Sequence, residues 1–577
     1  MQVLLDFCDP HGEQPALRCA FEQPQQTLVA HTPEQVKPLL KAVDALSKQG
    51  FWCAGYVRYE AAPAFDTALK VHDSAGPLAW FGIYENALPW PVETPSQQAD
   101  AQTSVQWHNA PDRPDFDAAM ARIHQAIAAG DLYQVNYTAP LHGEFSGDPQ
   151  TLFGRLRRAQ PNGYAAFINT GFEQVLSVSP ELFFDWRDGQ LLTRPMKGTA
   201  PRGLNAADDA TLAAALVASP KERAENVMIV DLLRNDVSRV AQPHSVKVPH
   251  LFTVQTLSTV LQMVSDVTAV TRPGTTLCDV FSALFPCGSV TGAPKVQAMR
   301  MIKSLESTPR GVYCGAIGVV RPGGHATFNV AIRTVTLRGT HATCGIGSGI
   351  TADATAQAEW QEWRIKRGFL ERASEPFQLL ETLRLEQGVF QHLEPHLARL
   401  QRASRHFAYR FDEAHIRRVL NDLITDRSAW RVRLLLDASG HAQAQASVLP
   451  PSPSQVMLQL ANRPFDDAHS EFTRFKTTRR AHYEAFAPTD PAMFDTLLYN
   501  EAGELTECTR GNIALLINGR WVTPPLRCGL LDGIGREMAL KEGRLVEAVV
   551  RLEDLPRVQA LAFVNSLRGW LDARLIR

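Results

Sequence analysis

The chain is short of three things, and each shortage removes a class of function. No stretch approaches the roughly twenty consecutive apolar residues that a bilayer crossing needs, so no spanning helix is expected. Net charge is also scarce: 58 basic and 60 acidic residues leave −2 over 577 positions. That balance offers no electrostatic footprint for nucleic acid or an anionic membrane, and small molecules are the expected partners. Cysteine is the third. Nine are scattered in contexts such as "FPCGS" and "VYCGA", without the spacing of a metal site or a disulfide framework. They read as small buried hydrophobes in a reducing compartment. The opening "MQVLLDFCDPHGEQ" lacks a positive n-region and a sustained apolar core, so a secretory leader is not expected and the cytoplasm is the expected location.

What is present is ordinary globular protein, 45% hydrophobic and 20% charged, in a chain too long for one hydrophobic core. Candidate strands and helices are mixed throughout, without internal repeats, so the expected class is mixed α/β. Residues 90–115, rich in Pro, Gln, Ser and Asp, read as a surface connection. "FDAAMARIHQAIAAGDLYQVNYTAPL" reads as an amphipathic helix closed by Gly130 and followed by a strand. A break at "ERASEP", whose proline favours extended backbone before it, divides the chain into expected units 1–372 and 373–577.

In the first unit, "LLTRPMKGTAPRG" places Lys197 where the pattern reads as the end of a strand dipping toward a buried turn. Most lysines are solvated, with their stems on apolar neighbours. A buried one tends toward a lower pKa, and the neutral amine is a nucleophile. Glu181, in "SPELFF", lies sixteen positions earlier, close enough for two strands and a turn to bring carboxyl and amine into one cleft. "SPKERAENVMIVDLLRNDVSR" has helical spacing, with Val227, Val230 and Leu233 expected to be buried and Glu225 near the start. "AEWQEWRIKR" sets Glu359, Glu362 and Lys366 along one helical face. Read alone, each helix is a solvated face with ion pairs; carboxylates meeting from both would suit Mg²⁺. Arg333, in "AIRT", offers a carboxylate fork, and the glycines of 345–349 permit close backbone approach.

"GDLYQVN", "SPELFF", "RPMKGT", "KERAENVMIVDLLRND", "FPCGSVTGAPK", "AIRT", "GIGSGI" and "EWQEW" together resemble the chorismate-utilising family of anthranilate, aminodeoxychorismate and isochorismate synthases, over about residues 50–370. The resemblance implies an anthranilate-synthase-like fold of stacked antiparallel sheets with flanking helices and a cleft between them. It implies Glu225 and Glu362 as Mg²⁺ ligands. Ser289, Tyr313, Arg333, Gly347, Gly349 and Lys366 match positions that hold chorismate. Lys197 stands where anthranilate synthases carry alanine and aminodeoxychorismate synthases carry a lysine that adds at C2 of chorismate, before ammonia at C4 expels it. Glu181 matches the acid for the departing hydroxyl. Gln134 stands where isochorismate-type relatives have a water-activating lysine, so water is not the expected nucleophile. Gln262 replaces a histidine common among relatives. No "LLES"-type signature of tryptophan feedback and no G-x-C-x-G glutaminase motif is seen, so ammonia is expected from solution or from a separate glutamine amidotransferase subunit.

The second unit repeats the theme in "RFKTTRRAHYE", with Lys476 after an apolar position. Glu507 precedes a polar "TRGN" loop, and "GLLDGIGREM" reads as a Gly-rich turn opening a helix, a ready phosphate site. With "HLEPHLARL" and "FVNSLRGW", these stretches resemble the fold-type IV, class IV pyridoxal-phosphate enzymes over 376–577. The resemblance implies that Lys476 forms the Schiff base to pyridoxal phosphate and that Glu507 pairs with the ring nitrogen. It also implies that Arg399, Ile534 and Gly535 contact the phosphate, with Ser566 a further candidate. A homodimer through this unit is among the expectations. "KTTRRAHY" departs from the commoner "KTTNR", which leaves branched-chain and D-amino-acid aminotransferases beside the lyase; "NSLRGW" leans toward the lyase. Joined, the halves would aminate chorismate at C4 and then eliminate pyruvate to give p-aminobenzoate for folate. The alternatives are a synthase fused to an aminotransferase, and a chorismate-sensing module without catalysis. Neither lysine is needed for the latter.

Overall fold

Strand segments that are apolar on both faces must be covered on both sides, and the first of them sets the architecture. In the strand Gln2–Phe7, Val3, Leu5 and Phe7 enter one core while Leu4 enters another. The computed structural model describes residues 1–91, 102–108, 112–203, 206–257, 260–423 and 429–576. It divides them into two compact units, Met1–Pro376 and Phe377–Arg577.

Unit one holds two ten-stranded sheets, antiparallel throughout. Val3, Leu5, Phe7 and Ile168 of the first pack on Tyr56, Trp80 and Ile317 of the second, so the sheets are stacked face to face. The outer faces are closed by helices: Arg113–Ala128 and Pro149–Ala159 on the first sheet, Pro33–Lys48 and Leu277–Leu284 on the second. At one edge of the first sheet lie Gly292–Ala293, Gln134–Ser146 and His341–Ile350; the second sheet ends in Met196–Pro201.

The helix Arg113–Ala128, Gly130 at φ +80° and the following strand meet the expectation for that stretch. Elsewhere the sequence reading needs correction. The supposed surface connection at 90–115 contains a strand, Ser104–His108, paired with Gln134–Ser146 and burying Val105; residues 92–101 and 109–111 lie outside the described residues. In the helix Pro220–Ser238 the buried face runs through Asn226, Ile229, Val230, Leu233, Asp236 and Val237, leaving Val227 39% exposed. At about 100° per residue, Val227 sits to one side of that stripe. The helix Ala356–Ser374 continues past the expected cut at 372, because Phe369, Leu370 and Ala373 are still buried in its last turns.

A buried ion network ties the stacked sheets together. Glu173, fully buried, accepts hydrogen bonds from the Tyr56 hydroxyl at 2.7 Å, from Arg58, and from Arg338 at 3.0 and 3.1 Å. Arg58 is only 2% exposed. Removing one partner of a buried pair strands the other charge, at about 3–5 kcal/mol. Glu173→Ala is therefore expected to lower unfolding free energy by that amount in urea titrations, and a loss under about 1 kcal/mol would show that water reaches Arg58.

Unit two contains a four-stranded antiparallel sheet beside an eight-stranded mixed one. The helix Leu393–Phe407 lays Leu397, Leu400, Ala403 and Phe407 into the core under the first of these. Among the described residues no helix is long and apolar enough to cross a membrane. All nine cysteines are free, and all but the half-buried Cys8 are buried, as small hydrophobes.

Candidate active sites

Lys197 does not end a strand as its pattern suggested. The strand Gln190–Arg194 stops before Pro195, and Lys197 lies in a new one, Met196–Pro201. The register against Val260–Val270 slips between Met196 and Thr199, so Lys197 sits in an irregularity that can aim its side chain away from the ladder. Gln262 braces this segment: its amide donates to the Gly198 carbonyl at 2.9 Å and accepts from the Thr199 hydroxyl at 3.0 Å.

The amine points to Gly349 on the other sheet. A Cβ at Gly349 would lie 2.5 Å from Lys197 Nζ and equally close to Gln134 Nε2, so only glycine admits both side chains. At Gly345 the Tyr313 ring occupies the place of a Cβ. Glu181 is fully enclosed nearby. Burial raises its carboxyl to about 7, against the pull of the Ser289 hydroxyl and the charges of Lys197 and Lys366. Glu181 Oε1 and both polar atoms of Gln134 are buried without a hydrogen-bond partner among the described residues. Polar atoms orphaned this way are costly in a closed site and natural in one that receives a ligand.

Arg333 adopts φ +51°, rare outside glycine. Its guanidinium lies 5.0 Å over the Phe369 ring, burial lowers it to about 10, and it has no carboxylate partner among the described residues. Lys366 donates to the Gly347 carbonyl at 3.0 Å and pairs with Glu362 at 2.6 Å. That pairing outweighs burial and lowers the Glu362 carboxyl, whereas burial raises Glu225, with the charges of Glu222 and Glu362 adding to it. Carboxylates from two helices thus repel one another here, a donor set that suits a hard divalent cation. Among the described residues no group of three or more ligating side chains forms a preassembled metal centre. Mg²⁺ does not require one, since it takes one or two carboxylates and completes its shell with water and substrate oxygens. Glu222 was not foreseen; its signal is its place one turn before Glu225.

In the second unit, Lys476 follows the short helix Glu471–Arg474 on an extended segment whose carbonyl accepts from the Leu380 amide at 3.0 Å. Burial lowers its amine to about 7, helped by the charges of Arg399 and Arg480 and opposed by Glu381 and Glu507. Glu507, in the strand Leu505–Cys508, is pushed up to about 8 by burial. Three donors fix it nonetheless: the Tyr483 hydroxyl at 2.6 Å, the Leu531 amide at 3.0 Å and Asn512 Nδ2 at 3.3 Å. Neither Tyr483 nor Asn512 was singled out from sequence.

Arg399 is locked by both oxygens of Glu381, at 2.9 and 2.6 Å, and donates to the Asp532 carbonyl at 2.9 Å. Glu381, which also shares a hydrogen bond with His396, is held down to about 2 against its burial, chiefly by the Arg399 charge. Arg399 is thereby brought to the start of the helix Ile534–Lys541, where Gly533 provides no side-chain cap. The first amides, Ile534 and Gly535 among them, have no partner within the helix and are free for an anion. A Cβ at Gly535 would lie 2.6 Å from the Asn565 backbone, so this helix start packs against the strand Ala560–Asn565, with Ser566 in the following turn. A buried amine with a lowered pKa, an anchored carboxylate and an uncapped helix start with an arginine fit pyridoxal phosphate.

Comparison with known proteins agrees in both halves. Residues 3–372 match the family of chorismate binding enzymes, and residues 378–576 match amino-transferase class IV. Aminodeoxychorismate synthase component 1 of Klebsiella aerogenes is 42% identical over 256 residues, covering 44% of this chain and 57% of that protein. The protein of the same name from Escherichia coli K12 is 39% identical over 267 residues, covering 46% and 59%. The chain thus spans under two thirds of the length of these relatives. Anthranilate synthase component I from Streptococcus pneumoniae shares the fold, with a TM-score of 0.52 at 24% identity over 64% of this chain and 91% of that one.

Proposed function

Because the chain belongs to the family of chorismate-binding enzymes and carries a class IV amino-transferase domain behind it, we propose that it makes p-aminobenzoate from chorismate in two steps, one in each unit. The observation that carries this reading is the Lys197 amine beside Gln134 at Gly349, with its charge acting on the buried, protonatable Glu181. Lys197 Nζ adds at C2 of chorismate while Glu181 passes its proton to the departing C4 hydroxyl. Ammonia then bonds at C4 and the lysine nitrogen leaves C2, giving 4-amino-4-deoxychorismate. Dividing one displacement into two lowers each barrier. Gln134 has no basic group to activate water, in keeping with ammonia as nucleophile. Arg333, whose guanidinium has no carboxylate partner among the described residues, Ser289, Tyr313, Lys366 and the backbone at Gly347 and Gly349 hold the substrate. Mg²⁺ held by Glu225 and Glu362 would neutralise a substrate carboxylate. A separate glutamine amidotransferase supplies the ammonia, as the name component 1 of the relatives suggests.

In the second unit Glu507 would pair with the ring nitrogen of pyridoxal phosphate, and Arg399, Ile534, Gly535 and Ser566 would hold its phosphate. Pyridoxal phosphate, when bound, supplies an aldehyde that condenses with amines and a ring that withdraws electrons from the neighbouring carbon. Lys476, whose amine burial pulls below the usual lysine range, accepts the C4 proton, and loss of enolpyruvate from C3 aromatises the ring. The products are p-aminobenzoate and pyruvate.

The test is a product assay with chorismate, ammonium and Mg²⁺. With pyridoxal phosphate, equal amounts of p-aminobenzoate and pyruvate are expected; without it, 4-amino-4-deoxychorismate accumulates. Anthranilate or isochorismate as the product would refute the first half. Amino-acid formation that requires a 2-oxo acid acceptor, with no p-aminobenzoate, would make the second half an aminotransferase.

The metal assignment has its own expected result. Glu225→Gln and Glu362→Gln each reduce chorismate consumption by at least about a hundredfold, within the range for removing an electrostatic group from an active site. Both still convert added 4-amino-4-deoxychorismate to p-aminobenzoate. Loss of that second activity would indicate misfolding instead.

A further inference from the structure

Two arginines act on the Lys476 amine, and their charges are balanced differently. Arg399 is answered within the protein by both oxygens of Glu381. Arg480 has no carboxylate partner among the described residues. Its Nη2 donates to the Thr509 carbonyl at 2.6 Å, and its guanidinium lies 4.8 Å over the Tyr483 ring. Tyr483 in turn donates to Glu507. Arg480 therefore stands among the three groups that frame the second site, and its charge is felt at Lys476, Tyr483 and Glu507 alike. A guanidinium offers five N–H donors. One carbonyl and one ring face leave several of them unused, on a half-buried cation that depresses the neighbouring amine.

We propose that Arg480 is the receptor for a carboxylate of the second unit's substrate. Planar bidentate recognition of carboxylate is what the guanidinium fork does best, and the contacts to Thr509 and Tyr483 pre-set its orientation. Identifying the substrate as 4-amino-4-deoxychorismate rests on the function proposed above, and that molecule brings two carboxylates.

The experiment uses the full chain loaded with pyridoxal phosphate and titrated with benzoate, followed by the visible absorbance of the cofactor, with methyl benzoate as the uncharged control. The parent protein is expected to respond to benzoate and not to the ester. Arg480→Gln should weaken benzoate binding by at least about tenfold, the scale of a lost charged hydrogen bond. It should raise the KM for 4-amino-4-deoxychorismate by a similar factor while retaining a full complement of cofactor. Arg480→Lys, which keeps the charge and loses the fork, should fall between the two. Unchanged benzoate affinity in Arg480→Gln, no response in the parent, or loss of the cofactor from the variant would each overturn the proposal. If Arg480→Gln does not fold, Arg480→Lys decides: parent affinity for benzoate overturns it, a several-fold loss supports it. A parent protein that binds benzoate through Arg480 and yet releases no p-aminobenzoate would leave the receptor standing and refute the lyase reading instead.

Discussion

Lys476→Ala is expected to stop release of pyruvate and p-aminobenzoate while chorismate consumption continues. The loss should be at least about a thousandfold, the scale seen when a proton-transferring or covalent side chain is removed outright. The physical basis is the enclosed amine, brought down to about 7 by burial and by two neighbouring arginines. The lowered pKa favours the neutral amine that can take up a proton. Because the first unit has its own lysine and its own core, 4-amino-4-deoxychorismate should accumulate in the variant. The protein as purified should be yellow from the conjugated imine, and the variant should lack that absorption band. A variant that still releases pyruvate from 4-amino-4-deoxychorismate would remove Lys476 from the mechanism. Retention of the band without turnover would show that another amine holds the cofactor.

Lys197→Ala is the complementary case. Chorismate amination should fall by at least about a thousandfold, while added 4-amino-4-deoxychorismate is still converted by the second unit. The substitution leaves Gly349, Gln134 and Arg333 in place, so chorismate binding should change little. The expected covalent species is an amine adduct, which borohydride cannot trap. Intact-protein mass spectrometry during turnover is the suitable probe, and the adduct should be present in the parent protein and missing from the variant. Glu181→Gln should also stop the first reaction, since the amide has no acidic proton to deliver. In the parent the Glu181 carboxyl sits near 7, so kcat/KM for chorismate should fall as pH rises through that value and the acid form is lost. A Lys197→Ala variant aminating chorismate at the parent rate would refute the nucleophile assignment.

How much of this was legible in the sequence differs from element to element. The helices that carry Glu225 and Glu362 could be read from spacing, because a 3.6-residue period leaves a mark in the chain itself. The same period failed at Val227, where three valines and leucines at plausible spacing do not say which stripe faces the sheet. The strand Ser104–His108 was hidden in a polar stretch, since it lies at a sheet margin and buries little beyond Val105.

The residue types, their order and their local periods determined by themselves that the chain is two α/β units, that a lysine and a carboxylate stand in each, and which known families those patterns resemble. Those are properties of short segments, so they survive in a one-dimensional record. Only the tertiary structure decided that Gly349 admits Lys197 and Gln134 together, that Gln262 braces the lysine's strand, and that Tyr483 and Asn512 anchor Glu507. It also decided that Glu381 answers Arg399 while, among the described residues, no carboxylate pairs with Arg480. Each of those facts joins residues far apart in the chain through a distance, a burial or a missing partner. Charge balance and desolvation exist only between groups that folding has brought together.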